Sequence, residues 1–295
     1  RKYGLTIDNL VAAEIVTADG TIRRVSAEEE PDLFWALRGG GGNFGVVTEF
    51  EYQLHPFDRN VLSGNVIWPV EQAAEVLDFY GDWYAGLSDE LYAGPAIVTM
   101  PDGTGVLVME VVYNGDPAQG EKEIAPLLSV GKPMDTGVKV QDYMVMQTQE
   151  DVAFGHGIRS YAKSGMVKEI SHDLLDAMVG ANPHDPRAAL FVHTAGGAVK
   201  RVGETDTAFP HRNAETMLVL AGGWMDAADD DPGIAAIRGW FNELESYTGG
   251  YYDNIEFDGE GANRNYGPNY QRLQGIKTEY DPGNLFRLNS NIEPA

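Results

Sequence analysis

From Val46 to Leu54 apolar and polar residues alternate, with Val46, Phe50, Tyr52 and Leu54 on one side and Val47, Glu49, Glu51 and Gln53 on the other. A period of two predicts a half-buried strand. Upstream, Val11 to Thr17, the turn Ala18-Asp19-Gly20 and Thr21 to Val25 read as a β-hairpin with Asp-Gly at its tip. Between hairpin and strand a short helix is predicted: Ser26 stands three residues before Glu29, Pro31 opens Asp32-Leu33-Phe34-Trp35-Ala36-Leu37, and Gly39 stops it.

Beyond His55-Pro56 strands and amphipathic helices take turns. Strands are predicted from Val61 to Trp68, near Ala96 to Met100, from Val106 to Tyr113, near Ala189 to His193 and near Met217 to Leu220. Helices are predicted over Val70 to Tyr84, Pro117 to Leu128, Ser171 to Val179 and Pro232 to Tyr247. The turn Met100-Pro101-Asp102-Gly103 implies antiparallel pairing, so an α+β fold with an antiparallel sheet covered by helices suits the pattern better than a doubly wound parallel sheet. A last helical stretch, Tyr266 to Tyr280, ends at Asp281-Pro282-Gly283-Asn284, and Leu285 to Ile292 runs out as an extended tail.

With 295 residues, 43% of them hydrophobic, the chain can fill one large core or two ordinary ones. No apolar run approaches the length of a membrane span, so no membrane partner is expected. The chain opens on Arg1-Lys2-Tyr3-Gly4 without a signal-peptide apolar core, which places its natural start elsewhere and makes a cytoplasmic location the expectation. A net charge of -24, from 45 acidic and 21 basic residues with no basic stripe, argues against a nucleic-acid partner, whose backbone is bound by lysine and arginine. Such an excess repels itself and fits a salt-loving source. If the acidity is a halophilic adaptation, the melting temperature keeps rising as KCl enters the molar range; a plateau at a few tenths molar, where Debye screening is largely complete, leaves net charge as the whole explanation. Absence of cysteine removes disulfides, thiolate catalysis and cysteinyl metal sites.

Gly40, Gly42 and Gly45 satisfy the spacing of a dinucleotide-binding turn, yet a helix precedes them and a strand follows, the reverse of the order that sets a helix N-terminus on a pyrophosphate. Two readings remain, a connecting loop or a place where main chain approaches a ligand without Cβ atoms in the way. The six histidines show no metal-binding spacing, and His172 and His211 read as structural. No metal site is expected, and neither a nucleophile elbow nor a phosphate loop is present. Tyr247, Tyr251, Tyr252, Tyr266 and Tyr270 interleave with Asn254, Asn263, Asn265 and Asn269, a mixture that serves ordinary packing or lines a planar polar ring.

Tyr3-Gly4-Leu5-Thr6-Ile7-Asp8-Asn9-Leu10 and the run from Asp32 through Gly39-Gly40-Gly41-Gly42-Asn43-Phe44-Gly45 to Val46-Val47-Thr48 resemble the second half of the flavin domain of berberine bridge enzyme-like oxidases. Phe209-Pro210-His211-Arg212, Tyr266-Gly267-Pro268-Asn269-Tyr270-Gln271-Arg272-Leu273, Lys277 and Tyr280-Asp281-Pro282-Gly283-Asn284-Leu285-Phe286-Arg287 match the same family's later landmarks. The resemblance implies three segments: 1–58, the second part of an FAD-binding domain; 59–250, a substrate domain; and 251–295, a return to the FAD domain. It also implies FAD as cofactor and a small-molecule substrate. Main chain at Gly41, Asn43, Gly45, Val46 and Val47 would face the adenosine half, with Gly4, Asp8 and Asn9 near the phosphates. Asn269, with Tyr266 nearby, would approach the isoalloxazine edge.

The family's phosphate-binding subdomain and flavin-linked histidine would precede Arg1, so the chain alone is expected to be inactive and to hold FAD weakly. The strand after Phe209-Pro210-His211-Arg212 carries Glu or Gln over the flavin in several members, whereas Met217-Leu218-Val219-Leu220-Ala221 is apolar. The resemblance therefore moves the catalytic base to Tyr252, which with Asn254 fits the family's Tyr-x-Asn element; a strand there would place both on one face. The implied reaction passes hydride to flavin N5 while the base takes a proton, and oxygen regenerates the flavin. The alternative is a flavin-free binding or scaffold protein that keeps the fold.

Overall fold

A computed structural model describes residues 1–149, 151, 155–255, 261–287 and 290–295. Along the chain the elements run β1 (Leu10–Val16), β2 (Ile22–Ser26), α1 (Pro31–Leu37), β3 (Val46–Tyr52), β4 (Asn60–Pro69), α2 (Ala73–Tyr84), β5 (Leu91–Thr99), β6 (Gly105–Tyr113) and α3 (Pro117–Ile124). They continue with β7 (Asp135–Thr136), β8 (Lys139–Asp142), α4 (Tyr143–Thr148), β9 (Arg159–Val167), α5 (His172–Gly180), β10 (Ala189–Thr194), β11 (Thr216–Trp224), α6 (Asp230–Leu244), α7 (Ala262–Tyr266) and α8 (Tyr270–Tyr280). The chain divides into two units, one of residues 1–2, 57–196 and 215–249, the other of 3–56, 197–214 and 250–295.

Unit 1 is an eight-stranded antiparallel sheet ordered β7-β4-β6-β5-β10-β11-β9, with β8 also on β4. One face carries Trp68, Met109, Ile97, Leu190 and Leu218, all buried in one core with helix residues. Helical periodicity supplies the matching stripes: Val76, Leu77, Tyr80 and Tyr84 on α2, and Ile237, Trp240, Phe241 and Leu244 on α6. Each such buried side chain stabilises the unit by about 1.5–3 kcal/mol relative to exposure. Ser171 caps α5 by accepting the Leu174 amide, 3.3 Å away. The α+β reading with an antiparallel sheet under helices holds. The sequence pattern missed β9, whose Ser160, Lys163 and Ser164 break the apolar signal although the strand is buried from Tyr161 to Val167.

Unit 2 holds a three-stranded sheet, β2-β1-β3, with Ile15, Leu33, Phe34, Phe44, Leu273 and Ile276 in its core. The hairpin falls where the Asp-Gly turn requires, with Gly20 at φ 77°. Ser26 caps the turn before the helix, accepting the amides of Glu28 and Glu29, and α1 itself starts at Pro31. The helix expected from Tyr266 to Tyr280 is broken at Gly267-Pro268 into α7, a single 3₁₀ turn and α8.

Two expectations need correction. β3 is exposed almost throughout, Val46 at 58% and Phe50 at 54%, because it is the edge of its sheet and pairs only with β1 among the described residues. Its alternation was real, but no described element covers the apolar side. Residues 197–214, expected within the continuous segment 59–250, instead pack with unit 2. The cause is long-range pairing: Arg212 is fully buried on Asp8, and the Trp35 indole donates to the Thr205 carbonyl at 2.8 Å.

Candidate functional site

The glycine-rich loop between α1 and β3 turns on three glycines with positive φ: Gly39 at 128°, Gly41 at 66° and Gly45 at 156°. A Cβ on Gly39 would strike the Phe209 backbone at 2.3 Å and one on Gly45 the Val16 carbonyl at 2.4 Å, so these two glycines fix close backbone crossings. Gly41 and Gly42 differ. Both are exposed, a Cβ on Gly42 would meet nothing within 4 Å, and one on Gly41 would meet only Asn43 Nδ2 and the Tyr266 hydroxyl, each at 3.6 Å. The main chain there is open to a ligand.

Around the loop the polar side chains are spent on one another. Buried Asn43 donates through Nδ2 to the carbonyls of Gly40 at 2.9 Å and Ser290 at 3.1 Å, and its Oδ1 accepts the Ile292 amide at 3.0 Å. Its carbonyl accepts from Lys277 Nζ at 2.7 Å, so loop and C-terminal tail are tied at two points. Asp8 faces Arg212 through both oxygens, at 2.6 and 2.8 Å, and accepts the Leu5 amide at 2.8 Å. Asn9 holds the Tyr3 and Leu5 carbonyls and meets His55 Nε2 at 2.6 Å. Gly4, at φ 78°, leaves no room for a Cβ beside Asp8. Asn269, buried, donates to the carbonyls of Glu204, Thr207 and Ala208. In these contacts Asp8, Asn9, Asn43 and Asn269 act as braces that hold neighbouring main chain in place.

Asp253 is the hub that sequence reasoning missed. Its Oδ1 accepts from Asn265 Nδ2 and from the Ser290 hydroxyl, each at 2.7 Å, and its Oδ2 from the Tyr266 hydroxyl at 2.6 Å. The only signal in the sequence was its place between Tyr252 and Asn254. Burial first, and then the Asp253 charge, push the Tyr266 phenol well above its ordinary pKa, so Tyr266 is a fixed donor. Because Asn265 Nδ2 points at a carboxylate, its Oδ1 is the acceptor that receives the Tyr251 amide at 3.1 Å and lies 3.0 Å from His211 Nε2. His211 must therefore donate through Nε2.

Residues 253–255 form a turn, closed by the Ile255 amide on the Tyr252 carbonyl at 3.0 Å, and not the strand expected there. Asp253 is drawn inward by Asn265, Tyr266 and Ser290, which an extended chain would not allow at this spot. The turn still joins the intended pair: Asn254 Nδ2 donates to the Tyr252 hydroxyl at 2.8 Å. Tyr252 is half-buried and Asn254 exposed. Val46 is exposed and Val47 half-buried beside the loop. Among the described residues no cluster of His, Asp and Glu could hold a metal ion, and no helix is long and apolar enough to cross a membrane.

A glycine loop with open main chain, braced by a C-terminal helix and tail and set beside a tyrosine–asparagine turn, belongs to the fold of flavin-linked oxidases. A profile described as "Berberine and berberine like" matches residues 251–293. (R)-6-Hydroxynicotine oxidase of Paenarthrobacter nicotinovorans is 33% identical over 318 residues, covering 99% of this chain and 67% of that protein. An FAD-linked oxidoreductase of Dictyostelium discoideum is 30% identical over 302 residues, covering all of this chain and 65% of that protein. The crystal structure of 6-hydroxy-D-nicotine oxidase from Arthrobacter nicotinovorans superposes with a TM-score of 0.86 at 29% identity, covering all of this chain and 68% of that one. The chain belongs to the berberine bridge enzyme-like family of FAD-linked oxidoreductases, and spans about two thirds of the length of these relatives.

Proposed function

We propose that the chain is the larger part of an FAD-dependent oxidase acting on a small organic molecule at a carbon that bears hydrogen. The observation that carries this is Asp253, which joins the Tyr252–Asn254 turn to Tyr266, whose hydroxyl lies against the open main chain of Gly41. FAD fits what is there: exposed main chain at Gly41, Gly42 and Val46 can approach a ligand, while the Asp8 carboxylate, which would repel a phosphate, is already neutralised by Arg212. FAD supplies a two-electron acceptor that takes hydride from the substrate and returns the electrons to oxygen.

In this reading Gly41, Gly42, Val46 and Val47 hold the adenosine half through main chain. Lys277 and Asn43 fix the loop that presents them. Tyr252 takes the proton from the substrate, and Asn254 steadies the phenol oxygen as the proton leaves. A phosphate-binding loop comes from the part of the relatives that this chain does not span. The test is anaerobic: the complete protein should show oxidised-flavin absorbance that bleaches on adding 6-hydroxynicotine and returns with peroxide on admitting air. A complete protein with no flavin absorbance would instead support the scaffold alternative.

A further inference from the structure

Chain without regular structure precedes Tyr252 and a turn follows it, so secondary structure does not fix where its phenol points. One buried side chain does. Asn265 of α7 accepts the Tyr251 amide through Oδ1 at 3.1 Å and donates through Nδ2 to Asp253 Oδ1 at 2.7 Å. The residues on either side of Tyr252 are thus held by the two ends of one rigid, planar amide. Its orientation is forced. Turned over, the amide would set its NH2 against the Tyr251 N–H and its oxygen against the Asp253 carboxylate, and both attractions would become repulsions.

His211 completes the clamp, since its Nε2 donates to the same Asn265 Oδ1 at 3.0 Å. The ring is placed by its own neighbours. Phe209 meets it edge-on with centroids 5.5 Å apart, and a Cβ on Gly250 would strike its Cε1 at 2.3 Å, so the imidazole lies directly on the main chain that leads into Tyr251. Asp253 also accepts from the Tyr266 and Ser290 hydroxyls, at 2.6 and 2.7 Å. Asn265 therefore ties Tyr251 to a carboxylate that cannot swing away. All of these residues belong to unit 2. In the oxidase reading Tyr252 takes the proton, and such a group works only when the side chains around it hold it within about 0.5 Å of its productive place.

We propose that Asn265 is the positioning residue for the Tyr252 base, locked in its working orientation by His211. The inference rests on the oxidase reading and deepens it by naming what aims the base. Two measurements on the complete flavoprotein test it. With fluorotyrosine in place of Tyr252, the fluorine resonance is single and sharp in the wild type and broadened or split in Asn265→Ala, a readout that needs no turnover. Under nitrogen with 6-hydroxynicotine as probe, Asn265→Ala lowers the limiting rate of flavin reduction about ten- to a hundredfold, the scale of a misplaced reacting group, while the substrate dissociation constant and reduction by dithionite stay unchanged. On a Tyr252→Phe background the same change costs nothing further, because no base is left to aim. His211→Leu lowers the rate in the same way, and His211→Gln, whose amide N–H replaces the Nε2 donor, recovers most of that loss, so the result does not hang on one variant's folding. Losses that multiply in the double variant, as they do for a residue that only stabilises the fold, overturn the proposal. A disturbed resonance in Asn265→Ala without any bleaching of wild-type flavin by substrate sinks the oxidase reading and leaves the clamp standing. Bleaching in the wild type, with resonance and rate unchanged in Asn265→Ala, sinks this proposal alone.

Discussion

Tyr252→Phe in the complete flavoprotein is expected to slow reduction of the flavin by substrate roughly a hundredfold or more, the usual scale for losing a general base. Two phenols meet near Asp253, and their hydrogen bonds assign them opposite parts. Tyr266 donates its proton to the Asp253 carboxylate at 2.6 Å and, buried beside that charge, holds it more tightly than an ordinary phenol. The Tyr252 oxygen accepts from Asn254 Nδ2 at 2.8 Å, an arrangement that stabilises charge on the oxygen as its own proton departs. Tyr266→Phe would strip Asp253 of a donor, and should lower the melting temperature before it touches the rate. Tyr252→Phe removes one half-buried hydroxyl and should leave flavin content and melting temperature unchanged. Rapid-mixing absorbance under nitrogen reads the effect directly. If Tyr252→Phe reduces the flavin at the wild-type rate while Tyr251→Phe does not, the base is Tyr251 and the register shifts by one residue.

What could be read in the sequence follows from which interactions are local. The hairpin at Ala18-Asp19-Gly20, the stripes of α2 and α6 and the antiparallel character of the sheet are written in period and turn chemistry within a few residues. β9 was lost because Lys163 and Ser164 are polar yet buried: Lys163 stands opposite Leu220 of β11 with its ammonium over the Phe241 ring of α6, and Ser164 stands opposite Val219 of β11. The site behaved likewise. Its glycines and its tyrosine–asparagine pair carry a family motif, whereas the roles of Asp8, Asn9, Asn43 and Asn269 as braces depend on partners up to 249 positions away. Asp253 had no local signal beyond its place between Tyr252 and Asn254, since its three donors come from residues 265, 266 and 290. The turn at 253–255 follows from the same contacts, and so could not be told from a strand by alternation.

Removing the Lys277 ammonium should be the most damaging single change to unit 2. Lys277 and Asp281 are both inaccessible to solvent, 2.6 Å apart and one helical turn from each other. Nζ also donates to the Asn43 carbonyl at 2.7 Å and to the Phe286 carbonyl at 2.6 Å, so a single ammonium fastens the glycine loop, the end of α8 and the tail. Lys277→Met keeps most of the apolar stem but leaves the Asp281 carboxylate and two carbonyls without that donor, a loss of about 3–5 kcal/mol for a broken buried pair. A thermal melt should show a fall of about 10 °C, at a few degrees per kcal/mol for a protein of this size. Asp281 keeps the amides of Leu285 and Phe286, at 2.8 and 2.9 Å, which is why the variant should still fold. Burial alone would raise the Asp281 pKa; hydrogen bonds from Lys277 and those two amides outweigh it and hold the carboxyl below its ordinary value. Its stabilising contribution is thus present above the unfolded carboxyl pKa and lost as pH falls through the lower folded one. Wild type should lose stability on acidification below about pH 4, the ordinary carboxyl range, more steeply than Asp281→Asn does. Lys277→Met combined with Asp281→Asn should recover part of the loss, because the neutral amide no longer strands a charge. A melting temperature for Lys277→Met within a degree or two of wild type would mean that desolvation of the pair cancels its attraction, and that the loop is held by Asn43 instead.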